Sequence, residues 1–385
     1  MATAGADKLL GAARSGRRLT GEEAVRLYRQ ADLLELGRAA QAVRFRRVPE
    51  RRVTYLIDRN INYTNVCVTG CQFCAFYRPA AEHPEAYTLS RADFSRKVEE
   101  LLEVGGTRVL MQGGHHPALR LAWYEDLLRW LGATYPEVEI DAFSPPEIDH
   151  IARLEGMTVP QVLARLQAAG LAGLPGGGAE ILDDEVRARI SPKKQSTAGW
   201  LDSMRAAHAL GLVTTATMVI GCGETVEQRA GHLQRVRDLQ DESLSAHGRG
   251  FVAFIAWTLH VDNTPLGRGK SQDEYGASAQ EYLRNVAVAR LFLDNFAHVQ
   301  ASWPTQGLRL AEVALEFGCD DFGSTMLEEN VVSAAGTSRR QVEEILIQRH
   351  IHGAGYTPAQ RDSCYNVLRQ VECVPEPAAP RRAGT

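Results

Sequence analysis

Residues 53–78 read VTYLIDRNINYTNVCVTGCQFCAFYR, and the order of what they hold decides the fold. Residues 53–58 are rich in β-branched and aromatic side chains, the composition of a pleated, half-buried strand. The strand runs into a loop carrying Cys67, Cys71 and Cys74 as Cys-x-x-x-Cys-x-x-Cys. Outward from this stretch the same kind of unit recurs. Further strands are expected at 108–112, 139–143, 171–174, 213–220, 250–259, 298–302 and 319–323, with 171–174 the weakest. Helical periodicity fills intervals at 91–104, 122–133, 159–169, 198–210, 226–240, 279–295 and 308–317. Connections of this length require parallel pairing of successive strands. Eight such units favour an α/β fold, a (β/α)8 TIM barrel, over an open sheet.

Upstream, residues 1–50 read as a helical extension of one or two helices. Thr20 and Glu23 fit a capping box, and apolar residues follow at Ala24, Val25, Leu27, Leu33, Leu34 and Leu36. The barrel is expected over 51–360, with a last helix at 338–350. The tail at 375–385 is rich in Pro, Ala and Arg and reads as disordered.

Composition narrows the class. The 385 residues are 44% hydrophobic and 23% charged, with 43 Lys plus Arg against 47 Asp plus Glu, an ordinary globular balance. A net charge of -4 supplies no excess positive field for nucleic acid, although Arg339 and Arg340 form a local basic spot. No apolar run approaches the roughly 18 residues of a membrane helix. Residues 1–18 lack the apolar segment of a secretion signal, so a cytoplasmic location is expected. Seven cysteines are an odd number and too few for a disulfide scaffold. Cys222, Cys319, Cys364 and Cys373 are scattered and read as packing residues.

The triplet is different because its position and its chemistry agree. It would occupy the first βα loop at the barrel's C-terminal mouth, where barrel enzymes place their chemistry. Structural zinc takes four protein ligands, and only three cysteines are local; His83 could complete such a set. Three thiolates instead leave one iron of a [4Fe-4S] cluster without a protein ligand, open to the amino and carboxylate groups of S-adenosylmethionine.

Around the triplet stand MQGGHHP at 111–117, FSPPEI at 143–148, LPGGGAEIL at 174–182, ATMVIGCGET at 216–225, SWPTQG at 302–307 and DFGSTMLEENVVSAAG at 321–336. With them, nearly the whole chain resembles the radical S-adenosylmethionine (radical SAM) superfamily, in the branch of the menaquinone futalosine-pathway enzymes and FO synthase. DRNINYTNVC and CAFYR are most similar to the cyclic dehypoxanthinyl futalosine synthases. Aminofutalosine synthase and an FO synthase subunit are the alternatives within the branch. The resemblance implies a barrel of the radical SAM type, a [4Fe-4S] cluster on Cys67, Cys71 and Cys74, and S-adenosyl-L-methionine. It further implies a 5′-deoxyadenosyl radical that takes the ribose C4′ hydrogen of dehypoxanthine futalosine. The carbon centre then adds to the benzoate ring, which rearomatises by losing an electron and a proton. A flavodoxin or ferredoxin is the implied electron donor, and a nucleoside-like small molecule the implied substrate.

Residue roles follow at the strand ends. Gly113 and Gly114 would lie beside the amino group of S-adenosylmethionine, and Phe73 and Gly221 beside its adenine, as the resemblance implies. Ser144, Glu147 and Glu180 could bind ribose hydroxyls through charge-assisted hydrogen bonds, although Glu147 could equally be an N-terminal helix charge. His115 is the expected base, with a loop hydrogen bond as its alternative role. Tyr63, Tyr77, Arg78, Trp257, Ser302 and Thr305 are candidates for the substrate's aromatic ring and carboxylate, Arg78 in bidentate fashion. Ala172, Gly173, Leu259, His260 and Pro304 depart from the pattern of the family and bear on substrate choice.

Overall fold

The computed structural model describes residues 2–268, 275–337 and 341–375. Three helices precede the first strand: α1 (Ala2–Arg14), α2 (Gly21–Gln30) and α3 (Leu33–Arg47). Thr20 N–H donates to Glu23 Oε2 at 2.9 Å and Glu23 N–H to Thr20 Oγ1 at 3.3 Å, so the capping box forms. Asp32 then accepts from the amides of Leu34 and Glu35 and starts a separate helix, which is why three form where one or two are expected. Tyr28 fastens this layer to the barrel through Asn285 Oδ1 at 2.7 Å.

Among the described residues the strands are β1 (Arg52–Leu56), β2 (Asp58–Ile61), β3 (Arg108–Met111), β4 (Glu139–Ala142), β5 (Gly173–Leu174), β6 (Val213–Ile220), β7 (Phe251–Thr258), β8 (His298–Gln300), β9 (Asp321–Ser324), β10 (Thr357–Arg361) and β11 (Val367–Gln370). All eight expected strands are present. The first is broken at Ile57: β1 pairs with β9, Thr54 opposite Asp321, and β2 pairs with β3, Asp58 opposite Arg108. Parallel pairing from β2 through β9 therefore returns to the strand where it began and closes the barrel.

The helices outside the ring are α4 (Arg91–Glu103), α5 (Leu121–Thr134), α6 (Pro145–Glu155), α7 (Val159–Ala168), α8 (Asp184–Ile190), α9 (Thr197–Leu210), α10 (Val226–His247), α11 (Ala279–Phe292), α12 (Trp303–Gln306), α13 (Leu308–Leu315), α14 (Val331–Ala334) and α15 (Glu344–Gly353). None of them is long and apolar enough to cross a membrane. Strand alternation separates core from cavity. Along β6, Val213, Thr215, Thr217 and Val219 line the interior, while Ala216, Met218 and Ile220 join the apolar layer beneath the helices.

The sheet does not end near residue 360. β10 runs parallel to β1 on the side that the break leaves open, Arg52 opposite Thr357, and β11 folds back antiparallel on it. The chain then crosses the lower end of the barrel. Arg361 forks onto Asp321, Ser363 Oγ donates to Asp141 Oδ2 at 3.0 Å, and the Tyr365 ring stacks on His298 at 4.0 Å. Arg108 bridges Asp58 and Asp141 beside them. Asp320, although buried, is held at about 2 by Arg290 and His298. Ser338, Arg339, Arg340 and residues 376–385 of the expected tail lie outside the described residues.

Candidate active site

A cavity of about 430 Å³ follows the barrel axis from the cysteine loop down to Arg361, Ser363 and Tyr365. Cys67, Cys71 and Cys74 all line it. Their loop is held as a doubled-back ladder: Cys67 N–H donates to Arg78 O at 2.9 Å, and Arg78 N–H to Asn65 O at 2.7 Å. Gln72 N–H reaches Ile190 O at 2.8 Å and ties the loop to the end of α8. Burial pushes the Cys71 thiol up to about 12, against the pull of Lys194, and raises Cys74 as well. Loading a metal group must therefore expel protons from these sulfurs.

Gly114 lets the β3 loop lie flat on the cysteine loop. A Cβ there would fall 2.2 Å from Val66 O and 2.9 Å from Cys67 Cβ. Gly113 allows a similar approach to the Tyr63 ring, which lies 2.6 Å from where its Cβ would stand. Its amide is engaged too, donating to Glu147 Oε1 at 3.0 Å. Tyr63 does not join the cavity lining. It is fully buried among Trp123, Tyr124 and Phe143, and its hydroxyl donates to Glu147 Oε1 at 2.7 Å.

Glu147 faces the cavity from the first turn of α6 and receives a third donor, Ser144 Oγ, at 2.6 Å. Burial lifts its carboxyl to about 7, against these three donors and Lys194. Glu180 is held otherwise. Its backbone sits at φ 41°, a strained value for a side chain of its size, and its Oε1 accepts from Lys194 Nζ at 2.8 Å. Oε2 is buried with no hydrogen-bond partner, and Arg187 stands 3.7 Å away. A hydroxyl donor is what that oxygen lacks. Lys194 also lies over the Phe73 ring, 5.1 Å from its centroid. Sequence reasoning missed this lysine, because a Pro-Lys-Lys-Gln run carries no sign that one ammonium turns inward.

Three other residues are placed differently from expectation. Arg78 donates to the carbonyls of Ala75, Phe76 and Tyr77 and pairs with Glu85, so it clamps the loop and does not join the cavity lining. Gly221, at φ 93°, makes room for the backbone of Gly276, which lies 2.3 Å from where a Cβ would stand, and is absent from the cavity lining. His115 lines the cavity, but burial, with His150, Lys194 and Arg153, pushes its imidazole well below the ordinary range. Its Nδ1 is shared with Thr69 Oγ1 at 2.6 Å and its ring stacks on His150, which ties it into the loop.

Tyr77, Trp257, Ser302 and Thr305 do line the cavity. The last two share a hydroxyl contact at 3.1 Å, His260 reaches Thr305 O at 3.0 Å, and Gln306 Nε2 donates to Thr258 Oγ1 at 2.7 Å. The departures are thereby placed. His260 and Pro304 belong to this wall, Leu259 is buried beside it, and Gly173 leaves room for Asp141 Oδ1, 2.1 Å from where a Cβ would stand.

Among the described residues no three His, Cys, Asp or Glu side chains converge on a point fit for one ion. His83 accepts from Glu85 N–H instead of turning toward the thiols. Three thiols on one loop, lining a cavity that Glu147, Glu180 and Lys194 also line, suit an iron-sulfur cube and a polar ligand beside it.

Two family models match: the radical SAM superfamily over residues 61–236, and the CofH/MqnC C-terminal region over residues 248–374. A cyclic dehypoxanthine futalosine synthase of Halalkalibacterium halodurans is 45% identical over 95% of this chain and 96% of its own length. An aminodeoxyfutalosine synthase of Thermus thermophilus is 37% identical over 92% of this chain and 93% of its own. The fold is shared with the crystal structure of HydG, a maturase of the [FeFe]-hydrogenase, at 18% identity and a TM-score of 0.72, covering 94% of this chain and 76% of that one. That superfamily implies a [4Fe-4S] cluster and S-adenosylmethionine. With a barrel that gathers three cysteines at its mouth, the chain is a radical SAM enzyme and belongs to the family of futalosine-pathway synthases.

Proposed function

We propose that this enzyme cyclises dehypoxanthine futalosine to cyclic dehypoxanthinyl futalosine in menaquinone biosynthesis. The observation that carries the reading is the 45% identity to a synthase of that name over almost the full length of both chains. Cys67, Cys71 and Cys74 would hold three irons of the cluster, and Phe73, Gly113 and Gly114 would border S-adenosylmethionine. Together these groups supply a 5′-deoxyadenosyl radical when bound. The ribose C4′ loses its hydrogen atom, the carbon centre adds to the benzoate ring, and aromaticity returns with loss of one electron and one proton.

The chain's own residues hold and orient. Glu180, which lines the cavity and whose Oε2 has no hydrogen-bond partner, would accept from a ribose hydroxyl, and Glu147 with Ser144 would form the polar rim beside it. Tyr77 and Trp257 offer faces to the aromatic ring, and Ser302 and Thr305 offer hydroxyls. A cavity of about 430 Å³ is of the size that encloses a small ligand. The proposed partners are a nucleoside-like substrate and an electron donor such as a flavodoxin or ferredoxin, with neither nucleic acid nor membrane among them. The proposed location is the cytoplasm, where thiols stay reduced.

The test is anaerobic reconstitution, with about four irons and four sulfides per chain expected. Reduction with S-adenosylmethionine and dehypoxanthine futalosine should then give 5′-deoxyadenosine together with the cyclised product. If no 5′-deoxyadenosine forms with this substrate and the deoxyadenosyl group is instead found joined to a different acceptor, the aminodeoxyfutalosine synthase reading, supported by the 37% identity to the Thermus enzyme, replaces this one.

A further inference from the structure

Behind the cysteine loop, on the outside of the barrel, lies a second concavity of about 450 Å³. Thr69, His115, Pro146 and Lys194 line both this groove and the interior cavity. One layer of side chains therefore separates the groove from the space that the cysteines face. The layer is braced: Val68 N–H donates to His115 O at 3.1 Å, and Lys193 Nζ donates to Val68 O at 3.1 Å. Val68, the neighbour of Cys67 in the chain, is 39% exposed at this surface.

The groove's charge is biased toward positive on a chain whose net charge is -4. Lys193 and Arg153 are exposed along it, and Lys193 bonds a neutral carbonyl. Arg153 and Asp149 offset one another as a pair, as do Lys194 and Glu180, so the positive bias of the groove rests on Lys193. An exposed apolar residue beside cations, over the thinnest cover of a redox site, is a surface shaped for an anionic partner.

We propose that an acidic one-electron carrier protein docks in this groove and passes its electron across the layer of Thr69, His115, Pro146 and Lys194. The inference rests on the radical reading above. The interior mouth is needed for S-adenosylmethionine and substrate, so a protein donor requires another approach, and electron transfer weakens steeply with distance. In the step, the reduced carrier loses one electron and the cluster passes from the 2+ to the 1+ state. No bond forms and no proton moves.

The test uses reconstituted holoenzyme and a double variant, Lys193→Glu with Arg153→Glu. Reduced flavodoxin and reduced ferredoxin are the protein probes, and photoreduced 5-deazariboflavin is a small neutral control. Cluster reduction is followed by stopped-flow absorbance. Charge reversal should slow reduction by at least one carrier by about 10-fold or more at low salt, with the gap closing at high salt. Deazaflavin reduction should be unchanged. A distant reversal, Arg26→Glu with Arg38→Glu on α2 and α3, should leave carrier reduction within about 2-fold. Equal slowing by both double variants, or none by the first with either carrier, overturns the docking site. Absence of 5′-deoxyadenosine under deazaflavin reduction would instead overturn the radical reading, so the two failures are distinguishable.

Discussion

Arg361 and Glu180 are buried in the same barrel, one at its floor and one near its mouth, and they are satisfied in opposite ways. Arg361 forks onto both oxygens of Asp321, which also accepts from Thr54 Oγ1 and Gly323 N–H. Glu180 gives one oxygen to Lys194 and keeps the other without a hydrogen-bond partner. Between Arg361 and Asp321 charge answers charge within the chain and ties β10 to β9, although Asp141 Oδ1 and Arg108 Nε beside them also lack a hydrogen-bond partner. Near the mouth, capacity is left over for something that is not protein. The floor thus belongs to folding and the mouth to chemistry, and the two should fail separately.

The largest expected effect lies at the mouth. Alanine at Cys67, Cys71 or Cys74 should reduce 5′-deoxyadenosine formation to background and lower bound iron. The urea midpoint of the iron-free protein should stay near that of the parent, and a large drop there would merge the two ends. Next comes the floor. Arg361→Ala strands Asp321 in the interior and should cost about 3–5 kcal/mol in urea unfolding, while the folded fraction still binds iron. Iron binding lost in step with stability would erase the distinction.

A smaller effect is expected at Glu180. Glu180→Gln should raise the KM for S-adenosylmethionine by about 10- to 100-fold, with kcat changed much less, since a charged hydrogen bond contributes about 1.5–3 kcal/mol. An unchanged KM would remove the ribose role. The smallest concerns pH. The carboxyl of Glu147 rises from an ordinary 4.5 to about 7 on folding, so the native state holds its proton more tightly than the unfolded chain does. Its contribution is complete below pH 4.5, declines as pH rises to about 7, and is flat above. Glu147→Gln should flatten that part of the melting-temperature profile, and a profile as steep as the parent's would show that another group is responsible.

How legible each end is in the sequence follows from the same contrast. Most of the eight barrel strands could be read because they are β-rich and separated by helical periodicity, with 171–174 legible only by its place in the alternation, and the cysteines could be read because metal chemistry demands close spacing. The floor could not. β10 has the sequence TPAQR, in which Pro358 argues against a strand and the inward side is charged, so no apolar alternation marks it. Near the mouth, position along the chain was legible and direction was not. Tyr63 and Arg78 flank the triplet as expected, yet one points into an aromatic cluster and the other back onto its own loop. Glu147 shows the limit from the other side. Its place in the first turn of α6 explains it as a helix charge, and only the three donors converging on it reveal a buried carboxyl at the cavity wall.

The strap of residues 357–365 has a kinetic corollary. By crossing the lower end it gives the cavity a floor among the described residues, so a ligand entering past the cysteine loop meets a closed end. Whatever settles deepest has to arrive first and depart last, so occupancy runs in a compulsory order. A lingering upper occupant would trap what lies beneath it.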